Sequence, residues 1–246
     1  MEKSILRIMY PFFKIGFVVS LLACFSNQVA GQEYKGPRVV NPADEVSAPP
    51  SDAIVLFDGK DLSQWESVKS GDAKWTLENG AMTVAKGAGS IRTRQSFGDI
   101  QFHIEWRIPA DVSGEGQNRG NSGIHFQQLY EIQILDCYQN RNPTYVDGTA
   151  GSIYTQSAPL VNACRKAGEW QTYDVVYMAP RFNSDGTVEI PARITLFHNG
   201  VLVQNNFVLK GTTYDHSGYK AHDKRPLELQ DHGNAVSYRN IWVREL

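Results

Sequence analysis

Ile194-Thr195-Leu196-Phe197-His198-Asn199-Gly200-Val201-Leu202-Val203-Gln204-Asn205-Asn206-Phe207-Val208 is the stretch that decides the fold. Two runs rich in β-branched and apolar residues flank Asn199-Gly200, a dipeptide that tolerates the positive φ angles of a tight hairpin turn. The same pattern occurs earlier, where Trp75-Thr76-Leu77-Glu78 and Ala81-Met82-Thr83-Val84 flank Asn79-Gly80. Both stretches predict antiparallel hairpins. Outward from them, residues 54–246 are short β-branched and aromatic runs separated by Gly, Asn, Asp and Pro. Further strands are expected at 100–108, 123–128, 130–136, 151–154, 170–178, 227–230 and 238–243. No helical apolar stripe interrupts them. With no helices to cover a sheet, the pattern predicts an all-β domain, two antiparallel sheets packed face to face as a jelly-roll-like sandwich.

The first thirty residues read differently. Lys3, Arg7 and Lys14 precede an uncharged apolar run at 15–25, and Val29-Ala30-Gly31 offers small residues for cleavage. This is the pattern of a signal peptide over 1–30, and its apolar run is short of the roughly 20 residues a membrane span needs. Leu21-Leu22-Ala23-Cys24 offers a second reading, a lipobox whose Cys24 would carry a lipid anchor. Either reading sends the protein out of the cytoplasm, to the periplasm or cell envelope. Residues 31–53, with Pro37, Pro42, Pro49 and Pro50, read as an extended linker before a domain at 54–246.

Removing 30 of the 246 residues takes three of 24 basic and one of 26 acidic side chains, leaving 21 against 25, a net charge of −4. No basic patch for nucleic acid remains. Of the three cysteines, Cys137 and Cys164 stay in the expected mature chain. They either pair, as an oxidising compartment permits, or stand as two buried thiols; their spacing fits no metal motif. Nothing in the sequence specifies an oligomeric state.

Strand alternation sorts the side chains. Ile132 and Ile134 oppose Glu131 and Gln133; Ile124 and Phe126 oppose Asn121, His125 and Gln127; Leu227 and Leu229 oppose Glu228, Gln230 and His232. Three strands thus each offer a face of carboxylates, carboxamides and imidazoles, less salty than an ordinary solvated face. Such groups bind sugar hydroxyls, and aromatic rings can cover the apolar face of a pyranose. Trp106, Tyr130, Tyr138, Tyr154 and Trp170 are the available aromatics, with Tyr154 and Trp170 chosen as substrate contacts.

Ordered motifs carry a resemblance. Val55-Leu56-Phe57-Asp58-Gly59-Lys60-Asp61-Leu62-Ser63-Gln64-Trp65 is followed by Gly120-Asn121-Ser122-Gly123-Ile124 and Tyr130-Glu131-Ile132-Gln133-Ile134-Leu135-Asp136. Gly168-Glu169-Trp170-Gln171-Thr172-Tyr173, His198-Asn199-Gly200, Leu229-Gln230-Asp231-His232-Gly233 and Tyr238-Arg239-Asn240-Ile241 come next. Together they resemble the 3-keto-disaccharide hydrolase family, once domain of unknown function 1080, also described as 3-keto-glucoside 1,2-lyase/3-keto-2-hydroxyglucal hydratases. The resemblance covers residues 54–246 and implies a concanavalin A-like jelly roll. Segments 113–119, 140–148 and 180–191 are longer than the family pattern, which bears on substrate range.

The implied chemistry is cleavage of 3-keto-glucosides or 3-keto-disaccharides. A ketone at C3 acidifies the C2 proton; a base takes it, the C1 substituent leaves, and water adds to the resulting glucal. Glu131 and His232 are expected at the centre, one as base and the other as acid or metal ligand. His125 is the next catalytic candidate. Asn121, Gln133 and Gln230 would orient hydroxyls. A divalent metal would have His125, Glu131, Glu228 and His232 as ligands, although no compact metal motif is present. Two rivals stand beside this reading. One is a conventional glycosidase using Glu131 and Glu228 as carboxylates about 5 to 10 Å apart. The other is a sugar-binding module without catalysis.

Overall fold

The computed structural model describes residues 48–246. The expected signal segment, the lipobox at Cys24 and the expected linker as far as residue 47 lie outside the described residues. Within them the strands are β1 (Ile54–Phe57), β2 (Trp65–Ser67), β3 (Thr76–Glu78), β4 (Ala81–Thr83), β5 (Ile91–Phe97), β6 (Ile100–Arg107), β7 (Ser122–Phe126) and β8 (Tyr130–Ile134). The second half adds β9 (Gln171–Met178), β10 (Arg181–Phe182), β11 (Val188–Ile190), β12 (Arg193–His198), β13 (Val201–Val208), β14 (Arg225–Leu229) and β15 (Ser237–Glu245). Apart from strands, only short 3₁₀ turns occur among the described residues, and no helix there is long and apolar enough to cross a membrane.

All named pairings are antiparallel. One sheet runs β13-β12-β9-β6-β15-β4-β3, with β1 also on β15; the other runs β2-β5-β14-β7-β8, and β10-β11 form a separate hairpin. Both predicted Asn-Gly hairpins form, with Asn79 and Asn199 each at φ 51°. The last strand of the chain sits between β6 and β1, so the start and end of the domain are held together, and Arg244 Nε donates to Asp52 Oδ2 at 2.8 Å.

The apolar halves of the alternating strands meet between the sheets. Phe102 of β6 meets Phe126 of β7 edge-on at 5.5 Å, and Tyr177 of β9 lies 4.9 Å from Phe126. Such ring pairs add about 0.5–1.5 kcal/mol beyond the area they bury. The buried tyrosines also carry polar pins. Tyr173 donates to the Gln133 carbonyl at 2.8 Å. Ser122 Oγ gives its proton to the Gln230 carbonyl at 2.6 Å, so the Tyr238 hydroxyl, 2.6 Å away, donates to Ser122. Two core tyrosines therefore fix the backbone of the strands that bear Gln133 and Gln230.

Two local expectations fail. Residues 151–154 form no continuous strand: Ile153 makes isolated bridges to Ile132 and Ser157, and Gly151, Ser152 and Tyr154 bond to the backbone of Gln133 and Glu131 at the edge of β8, but the segment turns back at Tyr154 before a ladder is built. Gln127 leaves the polar face, because Gln127 (φ 52°) and Gln128 (φ 60°) form the turn between β7 and β8 without any glycine. Left-handed backbone is costly for such residues. Their side chains offset part of it: Gln127 donates to the Phe97 carbonyl and accepts from Tyr177, and Gln128 donates to Glu228. Cys137 and Cys164 are joined by a disulfide, Cα atoms 6.1 Å apart. It ties the segment after β8 to the segment before β9.

Candidate functional site

Three neighbouring strands build the site on the face of the five-stranded sheet turned away from the core. Glu228 of β14 pairs across to His125 of β7, which pairs to Glu131 of β8, making one cross-strand row. In the next row Gln230 donates its backbone N–H to Gly123 at 2.9 Å, and Gly123 pairs with Gln133. A cavity of about 190 Å³ opens here, lined by Asn121, Glu131, Gln133, Gln230 and His232, with Tyr154 and Tyr214 reaching in from loops. Larger clefts of about 370, 480 and 610 Å³ lie elsewhere, but none is lined by any of these seven side chains.

Glu131 is 2% exposed, and its backbone N–H donates to Thr213 Oγ1 at 2.8 Å. Burial, and then the nearby Glu228 carboxylate, push its carboxyl up to about 8. His125 is pushed down to about 4 by burial alone. At neutral pH the pair is therefore an imidazole without charge beside a carboxyl that largely keeps its proton. The 3.8 Å between His125 Nε2 and Glu131 Oε1 is a contact of neutral groups, not an ion pair. His125 does not line the cavity but stands behind Glu131. Glu228, also raised, by burial first, stands behind with it and accepts from Gln128 at 3.1 Å.

A second layer sets the carboxamides. Gln117, in the 3₁₀ turn Gly116–Asn118, donates from Nε2 to Thr144 Oγ1 and to the Gly148 carbonyl, both at 2.8 Å. Its Oε1 is thereby left to accept from Gln133 Nε2 at 2.8 Å and Asn121 Nδ2 at 3.1 Å. With its amide nitrogen so engaged, Gln133 presents Oε1 as an acceptor. Four buried atoms, His125 Nε2, Glu131 Oε2, Gln133 Oε1 and Gln230 Oε1, have no hydrogen-bond partner among the described residues. A protonated Glu131 supplies one donor; the carboxamide oxygens are otherwise open to donors from a ligand, the kind of group that hydroxyls provide.

The structure thus brings Asn121, Glu131, Gln133, Tyr154, Gln230 and His232 to one cavity, with His232 exposed on its rim. It sets Trp170 elsewhere, just before β9, with the guanidinium groups of Arg107 and Arg239 4.6 and 4.3 Å from its ring centre. Trp106 and Tyr130 are wholly buried, and Tyr138 lies under Arg141 and Lys166, so none of the three can stack on a sugar here. Asp136 and Asp231 serve their loops, holding Arg119 and the backbone of Gly89 and Gly233. The expected metal set of His125, Glu131, Glu228 and His232 is not assembled as a ligand cluster in this structure. Among the described residues no three His, Cys, Asp or Glu side chains lie close enough to share an ion.

Sequence reasoning missed Gln117 and Tyr214. Tyr214 is 77% exposed yet lines the cavity. Gln117 lies in segment 113–119, while Tyr145, whose hydroxyl touches that of Tyr154, and Gly148 lie in segment 140–148. Two of the three departures from the family pattern therefore back the residues that line the cavity, a signal available in the sequence.

The profile of a domain family described as 3-keto-alpha-glucoside-1,2-lyase-like matches residues 52–244. A presumptive glycosyl hydrolase from Parabacteroides distasonis ATCC 8503 is 50% identical with a TM-score of 0.81, over 88% of this chain and 95% of that one. A second such protein from the same organism is 21% identical with a TM-score of 0.60, over 79% and 94% of the two chains, and shares the fold. No curated protein sequence matches the chain.

Proposed function

Because the chain belongs to the 3-keto-alpha-glucoside-1,2-lyase-like family of carbohydrate-active domains, we propose that it cleaves glycosides already oxidised at C3, by removing the C2 proton and eliminating the C1 substituent. The observation that carries this reading is that the cavity is lined by a single carboxyl, Glu131, raised to about 8 among neutral carboxamides and phenols. A conventional glycosidase needs two carboxylates flanking the bond. Glu228, the obvious second, stands behind the cavity in the same strand row as Glu131 rather than across from it. Elimination needs only one base on the C2 proton.

In this reading Glu131, in its ionised form, takes the C2 proton. The electron pair left on C2 is spread onto the C3 oxygen as an enediolate. The Tyr154 and Tyr214 hydroxyls and the Gln230 amide are the donors available to that oxygen. The C1–O bond then breaks as the C1–C2 double bond forms, and His232 on the rim gives the departing oxygen its proton. Addition of water at C1 with reprotonation of C2 yields the free 3-keto sugar. A raised pKa helps the first step, since a base matched to the working pH combines availability with driving force. Asn121 and Gln133 hold hydroxyls, and His125 acts through Glu131. No step is assigned to a metal.

The disulfide supports an exported location, because such bonds persist in oxidising compartments. The test compares a 3-keto-glucoside with its unoxidised parent, with and without chelator, for the wild type and His232→Ala. Aglycone released from the keto form alone, with kcat reduced in the variant, agrees with the proposal. Release from the parent glycoside points to the two-carboxylate glycosidase, and sugar binding without turnover to a binding module. Loss of activity with chelator adds an ion that the donor set does not explain.

A further inference from the structure

Gly123 lies in the interior of β7, paired to Gln133 on one side and accepting from Gln230 on the other. A glycine there weakens a strand, since it loses more chain entropy than other residues and packs nothing. Its backbone does not require it, because Gly123 is not in the left-handed region that favours glycine. The space beside it is the reason. A Cβ at this position would fall 2.3 Å from Glu131 Oε1, 3.0 Å from its Cδ and 3.1 Å from its Cγ. The Glu131 carboxyl therefore lies along the bare backbone of its neighbour, in the row whose ends are the carboxamides of Gln133 and Gln230.

We infer that Gly123 is a positioning residue for Glu131: the missing side chain is the slot that holds the carboxyl flat against the sheet, between the two carboxamides. The inference rests on the proposed role of Glu131 in proton transfer, but its physical core is a steric one that can be read without substrate. With any side chain at 123, the carboxyl must rotate out of the row.

The test is a double-mutant cycle of Gly123→Ala and Glu131→Ala, read by thermal denaturation and by turnover. In the wild-type background Gly123→Ala should lower the melting midpoint by roughly 3–10 °C through overpacking. In the Glu131→Ala background the same change should leave the midpoint unchanged or raise it, because alanine suits extended backbone better than glycine. For turnover, Gly123→Ala should lower kcat by about 100-fold with KM nearly unchanged, and should add nothing to Glu131→Ala. If Gly123→Ala alone fails to fold but the double variant folds, the inference stands. An equal penalty in both backgrounds, or failure of both to fold, overturns it. If the wild type turns over no 3-keto-glycoside, the proposed function fails while the thermal cycle still decides the steric claim.

Discussion

Replacing Glu131 by Gln keeps the size of the side chain and removes its proton, so the difference between Glu131→Gln and wild type isolates the carboxyl's effect on stability. The folded carboxyl titrates at about 8 against an ordinary 4.5, so between those pH values the folded chain keeps a proton that the unfolded chain has released. Stability must then fall as pH rises through that window, by up to about 1.4 kcal/mol per pH unit and at most about 5 kcal/mol in all. Wild type alone would not reveal this. His125 and His198, held down by burial to about 4 and about 3, make the folded chain lose stability below pH 6.5, the opposite slope. His103 is a third contribution: burial would lower it, but Asp174 and Glu105 outweigh burial and raise it to about 9, so its stabilisation fades as pH climbs from 6.5 to 9. All three histidines remain in both proteins and cancel in the difference. The assay is urea unfolding with the disulfide intact at pH 5, 6.5, 8 and 9, treated as two-state. The Gln variant should gain on wild type by several kcal/mol from pH 5 to pH 9, most of it before pH 8. A difference constant within about 1 kcal/mol across the series would refute a buried, proton-holding Glu131.

Breaking the disulfide as Cys137→Ser/Cys164→Ser should cost about 3–4 kcal/mol, because the bond closes a loop 27 residues apart in sequence, and a reductant should lower the wild-type melting midpoint similarly. Trp170→Ala should leave kcat/KM for the keto substrate within about twofold of wild type while losing roughly 1 kcal/mol of stability as the stacked guanidinium groups are released, read by kinetics beside urea unfolding. Gln117→Leu should raise KM by about tenfold, since Asn121 and Gln133 would lose the acceptor that orients them and Gln133 could turn its amide end into the cavity. A KM within twofold of wild type would remove Gln117 from the site.

The hairpins at Asn79-Gly80 and Asn199-Gly200 were legible because their turn chemistry is local: the residues that need positive φ are those that adopt it cheaply. The turn at Gln127-Gln128 was not, because its strain is offset by bonds to Phe97, Tyr177 and Glu228, partners far along the chain. Alternation identified Glu131, Gln133, Glu228 and Gln230, since a strand's two-residue period survives wherever pairing is regular. It misplaced Gln127 where the strand ended. It also reads residues 151–154 as a strand, although they bond to the edge of β8 only through isolated contacts before the chain turns. Trp170 has the chemistry of a sugar contact, but the pairing of distant strands, which decides where it sits, is not written locally. Tyr214 and Gln117 sit on irregular segments with no periodicity, and only the unusual length of segment 113–119 pointed to the latter.

The central claim is that the C2 proton leaves during cleavage. Turnover of a 3-keto-glucoside in deuterium oxide, with the recovered 3-keto sugar examined by NMR against an enzyme-free control, tests it most directly. Elimination followed by hydration predicts one solvent deuterium at C2 of every product molecule, with incorporation and aglycone release lost together in Glu131→Gln. Aglycone release with protium retained at C2 would mean that attack occurs at C1, and would contradict the account.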